Sequence, residues 1–208
     1  MTNLILGSML VSSLSLALIT IFSRLDTELS NKLYLKKLDI IIIFAVAVLY
    51  GVLYSRLDIS FMDFINNSIL IAYLVFMSYT DQKTKLLYTS VSIVMILIEA
   101  FFLVYNLTNI VYNEYTLSII LVILMLGIMS IFRWIGFGDV LIYIVLSIYL
   151  TQYRMIPTLS IMINILLTNI MFVVVTIIIK LIKHDKDKHQ PLTIFIAIST
   201  FICNLLMI

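Results

Sequence analysis

The stretch FINNSILIAYLVFMSYTDQKTK, residues 64–85, determines how the rest of this chain is interpreted. Within it, an apolar run meets a short charged segment that begins at Asp81. A second apolar run is preceded by Gly136-Phe137-Gly138-Asp139. A carboxylate at the edge of an apolar run is costly in free energy unless it is used, so these two aspartates are the candidate functional residues.

Composition indicates that most of the chain is surrounded by lipid. Of its 208 residues, 63% are hydrophobic and 12% are charged, and the mean hydropathy is +1.18. A soluble domain of this length could not cover so much apolar surface. The formal net charge of +2 is too small to indicate nucleic acid as a partner. We therefore expect a polytopic membrane protein whose partner is the lipid bilayer.

The residue types that bind metals are scarce. The one cysteine, Cys203, excludes a disulfide within the chain and a cysteine-based metal site. The two histidines, His184 and His189, lie in a charged loop that lacks a ligand cluster. The sequence thus predicts no metal and no cofactor, and Cys203 is expected to be a small buried hydrophobe.

The apolar runs predict an all-α fold with about eight transmembrane helices in one integral membrane domain, residues 1–208. Each run can cross roughly 30 Å of hydrocarbon, although the sixth is short and either extends to Pro157 or starts in a re-entrant loop. The first run lacks a basic segment and a cleavage site, so we expect a retained helix there. The runs are 3–22, 38–55, 64–80, 87–105, 115–132, 139–151, 159–182 and 191–207.

Basic residues predict the orientation of these helices. If the loops after helices one, three, five and seven face the cytoplasm, that face carries all 13 Lys and Arg residues except Arg56 and Arg154. This distribution predicts that both termini lie outside. It also places Asp81 and Asp139 together on the cytoplasmic face.

Two glycines flank one residue directly before Asp139, although the whole chain contains only five glycines. Glycine permits backbone angles that other residues avoid, and it allows another segment to approach closely. An aspartate after such a turn can point into a cleft, or it can cap the helix that follows. Asp81 has its own alternatives, a helix cap or a loop charge paired with Lys83 or Lys85.

The two aspartate motifs together resemble the prepilin peptidases, the type IV leader peptidases among the GxGD membrane aspartic proteases. The first motif is Asp81-Gln82-Lys83-Thr84-Lys85-Leu86-Leu87, and the second is Gly136-Phe137-Gly138-Asp139. The resemblance covers residues 64–182, the expected catalytic core of a short form without the cysteine-rich cytoplasmic loop. The chain departs from the family pattern at Tyr88-Thr89, where Pro-Asp or Pro-Asn is usual, and at Leu141, where Lys is usual.

The resemblance implies a membrane aspartic endopeptidase in a bacterial plasma membrane, active at the cytoplasmic face. Asp81 and Asp139 would share a proton and activate a water, without metal or cofactor. The implied substrate is a prepilin or competence pseudopilin, whose short basic leader ends in Gly before an apolar helix. N-methylation of the new amino terminus often accompanies this activity, but the sequence contains no recognisable methyl-donor pocket.

The resemblance also implies supporting roles for the residues beside the two aspartates. Gly136, Phe137 and Gly138 would support the backbone of the second motif. Lys83, Thr84 and Lys85 would be neighbours of the substrate or of the aspartate pair. The sequence does not identify the individual substrate or the oligomeric state.

Two other functions use the same carboxylates. The first is a small ion-coupled transporter, but such proteins usually place their acids near the bilayer midplane, whereas these aspartates lie at the membrane edge. The second is a non-catalytic membrane subunit, which the departures at Tyr88 and Leu141 favour. Glu99 lies about 18 Å along its helix from Leu87, so we expect it to bond Tyr or Asn between helices rather than to act on substrate. Asn164 and Asn169 are likewise expected to form interhelical hydrogen bonds.

Overall fold

The computed structural model describes residues 2–25, 33–54, 60–106, 112–131, 136–152, 157–183 and 192–207. These residues form eight α-helices and, among themselves, no β-strand, which confirms the all-α prediction. The helices are α1 (Thr2–Leu25), α2 (Lys37–Tyr54), α3 (Phe61–Thr84), α4 (Thr89–Tyr105), α5 (Tyr112–Ile131), α6 (Phe137–Thr151), α7 (Pro157–Lys183) and α8 (Leu192–Met207).

The described helices expose the apolar surface of a membrane protein, and three of them also have the length of a membrane span. Among the described residues, Ile5–Leu25, Phe61–Thr84 and Ile161–Ile178 are long and apolar enough to cross a bilayer. Large apolar side chains remain exposed along the helices, as at Leu97 and Phe101, which is the surface that lipid requires. The sixth helix ends at Thr151, so its predicted boundary is confirmed and its extension to Pro157 is wrong.

Not every part of the topology prediction falls on described residues. The location of both termini outside stays a prediction, as does the treatment of 1–208 as a single domain. The basic residues Lys32, Arg56, Arg133, Arg154, Lys186 and Lys188 and both histidines lie outside the described residues. The helices group into two compact units, of which the first ends at Leu86 and the second begins at Leu87.

In the first unit, α1 runs parallel to α3. Near their carboxyl ends, the rings of Phe22 and Phe76 lie 5.3 Å apart between centroids. Near their amino ends, Gly7 lies against Phe64, whose ring is 3.1 Å from where a Cβ on Gly7 would be. The first and third helices therefore point the same way, as the alternating topology predicts.

The second helix of this unit runs antiparallel to α3. Close to the end of α2, the Tyr50 hydroxyl lies 3.0 Å from the Ser68 hydroxyl, near the start of α3. At the start of α2, Asp39 bonds Lys83, near the end of α3, with an oxygen to nitrogen distance of 2.9 Å. The carboxyl end of α3 is thus held beside the amino end of α2.

In the second unit, α6 contacts α4, α5 and α7 and is the central helix. Most of its length from Val140 to Thr151 is buried. Its relation to α4 is fixed at both ends. Leu87, just before α4, lies against Gly138 in the first turn of α6, while Gln152, just after α6, donates to Glu99 in α4 over 2.8 Å. The two helices are therefore parallel.

Polar side chains bridge helices inside the second unit. Asn164 of α7 donates to the Thr200 hydroxyl over 2.9 Å and accepts from Ser199 over 2.8 Å, which confirms its predicted interhelical role. Asn169 is exposed and donates to the carbonyl of Ile165 in its own helix, so the prediction for Asn169 is wrong. The fully buried Glu99 does bond between helices, since Gln152, just after α6, donates to its carboxylate.

We expect Gln152→Leu to lower the free energy of unfolding by about 1–3 kcal/mol, because the buried Glu99 carboxyl loses this donor. Thermal unfolding of the detergent-solubilised protein measures the change. Asn169→Leu is the matched control, since this exposed amide bonds the carbonyl of Ile165 in its own helix, and its effect should stay within about 0.5 kcal/mol. Equal losses in the two variants would contradict a specific role for the Gln152–Glu99 bond.

Candidate active site

Asp81 lies in the last turn of α3. The helix continues beyond the predicted end at Thr80 as far as Thr84, so Asp81 is neither a helix cap nor a loop residue. The residue is buried, with a relative exposure of 8%. The backbone carbonyl of Asp81 accepts from the N–H of Lys85 over 2.9 Å. The candidate carboxylate is therefore carried by a hydrogen-bonded helix end, which restricts its direction.

The chain turns sharply directly after this helix end. Lys85 is the C-cap of α3 and has φ 58° and ψ 26°, the only positive φ at a non-glycine position among the described residues. The left-handed conformation costs a residue with a Cβ roughly 1–2 kcal/mol, and glycine usually occupies it. The Lys85 side chain is exposed. A strained residue thus separates the helix that carries Asp81 from the segment that leads into α4.

Lys85→Gly should raise the free energy of unfolding by up to about 1 kcal/mol, because glycine accepts the left-handed conformation. Lys85→Ala is the control, since it removes the same charge but keeps the Cβ, and its stability should match that of the unmodified protein. Chemical denaturation of the two variants separates these effects. A gain of equal size in both would assign the effect to the charge.

Two of the three predicted neighbours of the aspartates hold the end of α3 in place. Lys83 donates to both carboxylate oxygens of Asp39, over 3.1 and 2.9 Å. The Thr84 hydroxyl donates to the carbonyl of Thr80 over 2.7 Å and accepts from the N–H of Leu86 over 3.2 Å. Sequence reasoning missed Asp39, which lies two positions after the basic pair Lys36-Lys37, because nothing local marks it as the partner of Lys83.

The second motif forms the start of α6. Gly136 is the N-cap, with φ −66° and ψ 149°, and Phe137 begins the helix with its side chain 63% exposed. No described glycine has a positive φ. The expectation that Gly136 and Gly138 supply angles forbidden to other residues is therefore wrong, because ordinary backbone angles suffice for this turn.

Gly138 is needed for the second reason, close approach. A Cβ built on Gly138 would lie 2.6 Å from Leu87 Cδ1 and 2.8 Å from Leu87 Cβ. Contacts this short leave no room for a methyl group, whereas a Cβ on Gly136 would meet, among the described residues, only Asp139 Oδ2, at 3.1 Å. The first turn of α6 thus lies directly on the residue that precedes α4.

Asp139 occupies the first turn of α6 and is partly exposed. Its carboxylate turns back toward Gly136, because Oδ2 lies 3.1 Å from the position of a Cβ there. The N-cap position belongs to Gly136, so the alternative in which Asp139 caps the helix is wrong. An acidic residue in the first turn suits the positive end of the helix dipole. Asp139 is therefore a partly exposed acidic residue whose position is set by the start of α6.

The two departures from the family pattern have different surroundings. Leu141 is 8% exposed and belongs to the buried length of α6, so an apolar residue fits its position. Tyr88 is the N-cap of α4 and forms no side-chain capping bond there. Within the described part of the chain, no three His, Cys, Asp or Glu side chains are grouped as a metal site requires.

Comparison with known protein families identifies the family of this chain. The model of the type IV leader peptidase family matches residues 68–208, which include both aspartate motifs. The chain belongs to the type IV leader peptidase family. Neither a curated protein nor a solved structure matches it at a significant level. Membership supports a prepilin-type leader peptidase function in general terms, and it confirms the resemblance drawn from the two motifs.

For this family member, Gly138→Ala should lower the free energy of unfolding by about 1–3 kcal/mol, because its methyl group overlaps Leu87. Gly136→Ala is the matched control and should change stability by less than about 1 kcal/mol. Thermal unfolding in detergent measures both variants.

A second substitution tests whether the contact itself is responsible. In Gly138→Ala/Leu87→Ala, the shortened residue 87 no longer carries the Cδ1 atom closest to the new methyl group. The double variant should therefore be less destabilised than the sum of the two single variants. Strict additivity would show that the loss of stability in Gly138→Ala does not come from the part of the Leu87 side chain beyond Cβ.

Proposed function

We propose that this chain is a membrane-embedded aspartic endopeptidase that removes the short basic leader of prepilin or pseudopilin-like proteins. Membership of the type IV leader peptidase family supports the substrate class. The observation that carries the proposal is the contact of Gly138 with Leu87. The contact joins Gly138 of the second motif to Leu87, the last residue of the first motif.

In this proposal, Asp81 and Asp139 act as a pair with one shared proton, because two adjacent carboxylates do not both ionise. The ionised partner accepts a proton from water as the water oxygen attacks the scissile carbonyl carbon. The protonated partner gives its proton to the carbonyl oxygen. When the C–N bond breaks, the leaving amine takes the proton that the pair received from water, and a hydroxyl of the tetrahedral intermediate returns one proton to the pair as it becomes the carbonyl of the new carboxyl group. Water and the two carboxyls account for every atom transferred.

The charges of the first unit support cleavage at the cytoplasmic face. Because α1 and α3 are parallel and α2 is antiparallel, the end of α3 that carries Asp81 coincides with the basic end of the unit. Basic residues mark the cytoplasmic side of membrane helices, and a basic leader is retained on that side by the same rule. The residues at this end are Arg24, Lys36, Lys37, Lys83 and Lys85.

The proposal predicts that purified protein cuts a prepilin-like reporter with a Lys-Gly-Phe junction after its glycine. Asp81→Asn and Asp139→Asn should each lower the rate by about 10²–10⁴-fold, because each removes a proton donor or acceptor from the reaction. Mass spectrometry of the new amino terminus measures cleavage, and the same spectra report any N-methylation.

Asp63→Asn is the matched control for the cleavage assay. Asp63 lies in the first turn of α3, at the other end of the helix from Asp81, where it bonds Ser60. This variant should cut at the normal rate. Normal cutting by folded Asp81→Asn or Asp139→Asn would remove the aspartate pair from the mechanism. If the unmodified protein leaves authentic pilin-like partners intact, the peptidase proposal fails as a whole.

A further inference from the structure

Asp39 forms a junction between the start of α2 and the end of α3. Its carboxylate accepts from Lys83 Nζ over 3.1 and 2.9 Å and from the backbone N–H of Lys36 over 3.0 Å. The Tyr79 hydroxyl is 3.5 Å from Asp39 Oδ2. The Asp39 side chain is 14% exposed and that of Lys83 is 22% exposed, so the ion pair is only partly buried.

Tyr79 adds contacts to the segment that precedes α2. Its hydroxyl lies 3.4 Å from the carbonyl oxygen of Leu33 and 3.3 Å from that of Tyr34. The Lys83 ammonium lies 5.4 Å from the centroid of the Tyr79 ring, within range of a cation–π interaction. Two side chains, those of Tyr79 and Lys83, thus hold the last two turns of α3 against α2 and the segment before it.

The positions of Tyr79 and Lys83 on α3 explain how the junction affects Asp81. Tyr79 and Lys83 are four residues apart and therefore share one face of the helix. Asp81 is midway between them in sequence. At about 100° of rotation per residue, its side chain leaves the helix on the side roughly 180° from that face. Holding Tyr79 and Lys83 therefore sets the rotation of the helix end and, with it, the direction of Asp81.

We propose that Asp39 is a positioning residue for Asp81, acting through Lys83 and Tyr79. This inference rests on the proposed function, because it gives Asp39 a part in the peptidase reaction. Asp39 lies outside residues 68–208, the segment that the family model matches. The proposal also changes the part played by Lys83, which holds the helix end rather than meeting the leader peptide.

Positioning and simple stabilisation predict different results. A partly exposed ion pair contributes little to folding. A small misplacement of a catalytic group, by contrast, can slow a reaction by about 100-fold. Removal of the pair should therefore lower kcat much more than it lowers thermal stability. KM should change little, because the leader does not contact Asp39 or Lys83 in this proposal.

The experiment measures kcat and KM of the purified full chain on the prepilin-like reporter. We expect Asp39→Ala and Lys83→Met to lower kcat by about 10- to 100-fold, with KM within about twofold. The double variant should be no slower than the slower single variant, since both substitutions remove the same junction. Lys83→Arg should retain most of kcat, because a guanidinium also bonds both carboxylate oxygens.

Two further variants complete the design. Lys37→Met removes an exposed positive charge at the same end of the first unit and should leave kcat unchanged. Asp39→Asn serves if Asp39→Ala does not fold, since the amide oxygen still accepts from the Lys36 N–H while the ion pair is lost. This variant should show the same fall in kcat.

The outcomes separate this inference from the function on which it rests. If the unmodified protein cuts the reporter and folded Asp39→Asn and Lys83→Met cut with normal kcat, the positioning role is overturned and the peptidase stands. A rise in KM with unchanged kcat also overturns it, because the pair would then bind substrate. The same holds if Lys83→Arg is as slow as Lys83→Met. An unmodified protein that does not cut overturns the proposed function itself.

Discussion

The contact of Gly138 with Leu87 is the constraint on which the candidate site depends. A side chain at position 138 would overlap Leu87, so the closeness of α6 to the segment before α4 requires glycine. The contact fixes one end of a parallel helix pair, and the Gln152–Glu99 bond fixes the other. These two contacts together define how α6 lies against α4. The position of Asp139, in the first turn of α6, follows from these contacts.

Each candidate carboxylate belongs to a helix end that is restrained by contacts of its own unit. Asp81 is carried by the last turn of α3, which the bonds of Asp39 to Lys83 and Tyr79 hold to α2. Asp139 is carried by the first turn of α6, which rests on Leu87. Sites built on such restrained elements keep their geometry better than sites on loops. Among the described residues, Lys85, directly after α3, is the one non-glycine position with a left-handed backbone.

The sequence predicted what depends on composition and on local pattern. Apolar runs gave the helices, and the rarity of glycine singled out the residues before Asp139. Boundaries were less accurate where polar residues continue a helix, as α3 does through Asp81 to Thr84, because hydropathy detects only the apolar part. Interhelical partners were harder still. Gln152 and Asp39 lie 53 and 44 residues from the side chains they bond, and nothing local distinguishes them from other polar residues at helix ends.

The structure changes the explanation for the two glycines that precede Asp139. Flanking glycines suggested unusual backbone angles, yet Gly136 adopts angles open to any residue. What position 138 demands is the absence of a side chain, and that demand originates in Leu87, far away in sequence. The residue type at a motif position can thus be required by a contact with a residue outside that motif. The same holds for Lys83, which appears in the first motif as a basic residue but takes its part from Asp39, a residue beyond the matched family segment. The first unit therefore affects the candidate site, because its contacts hold the end of α3 that carries Asp81.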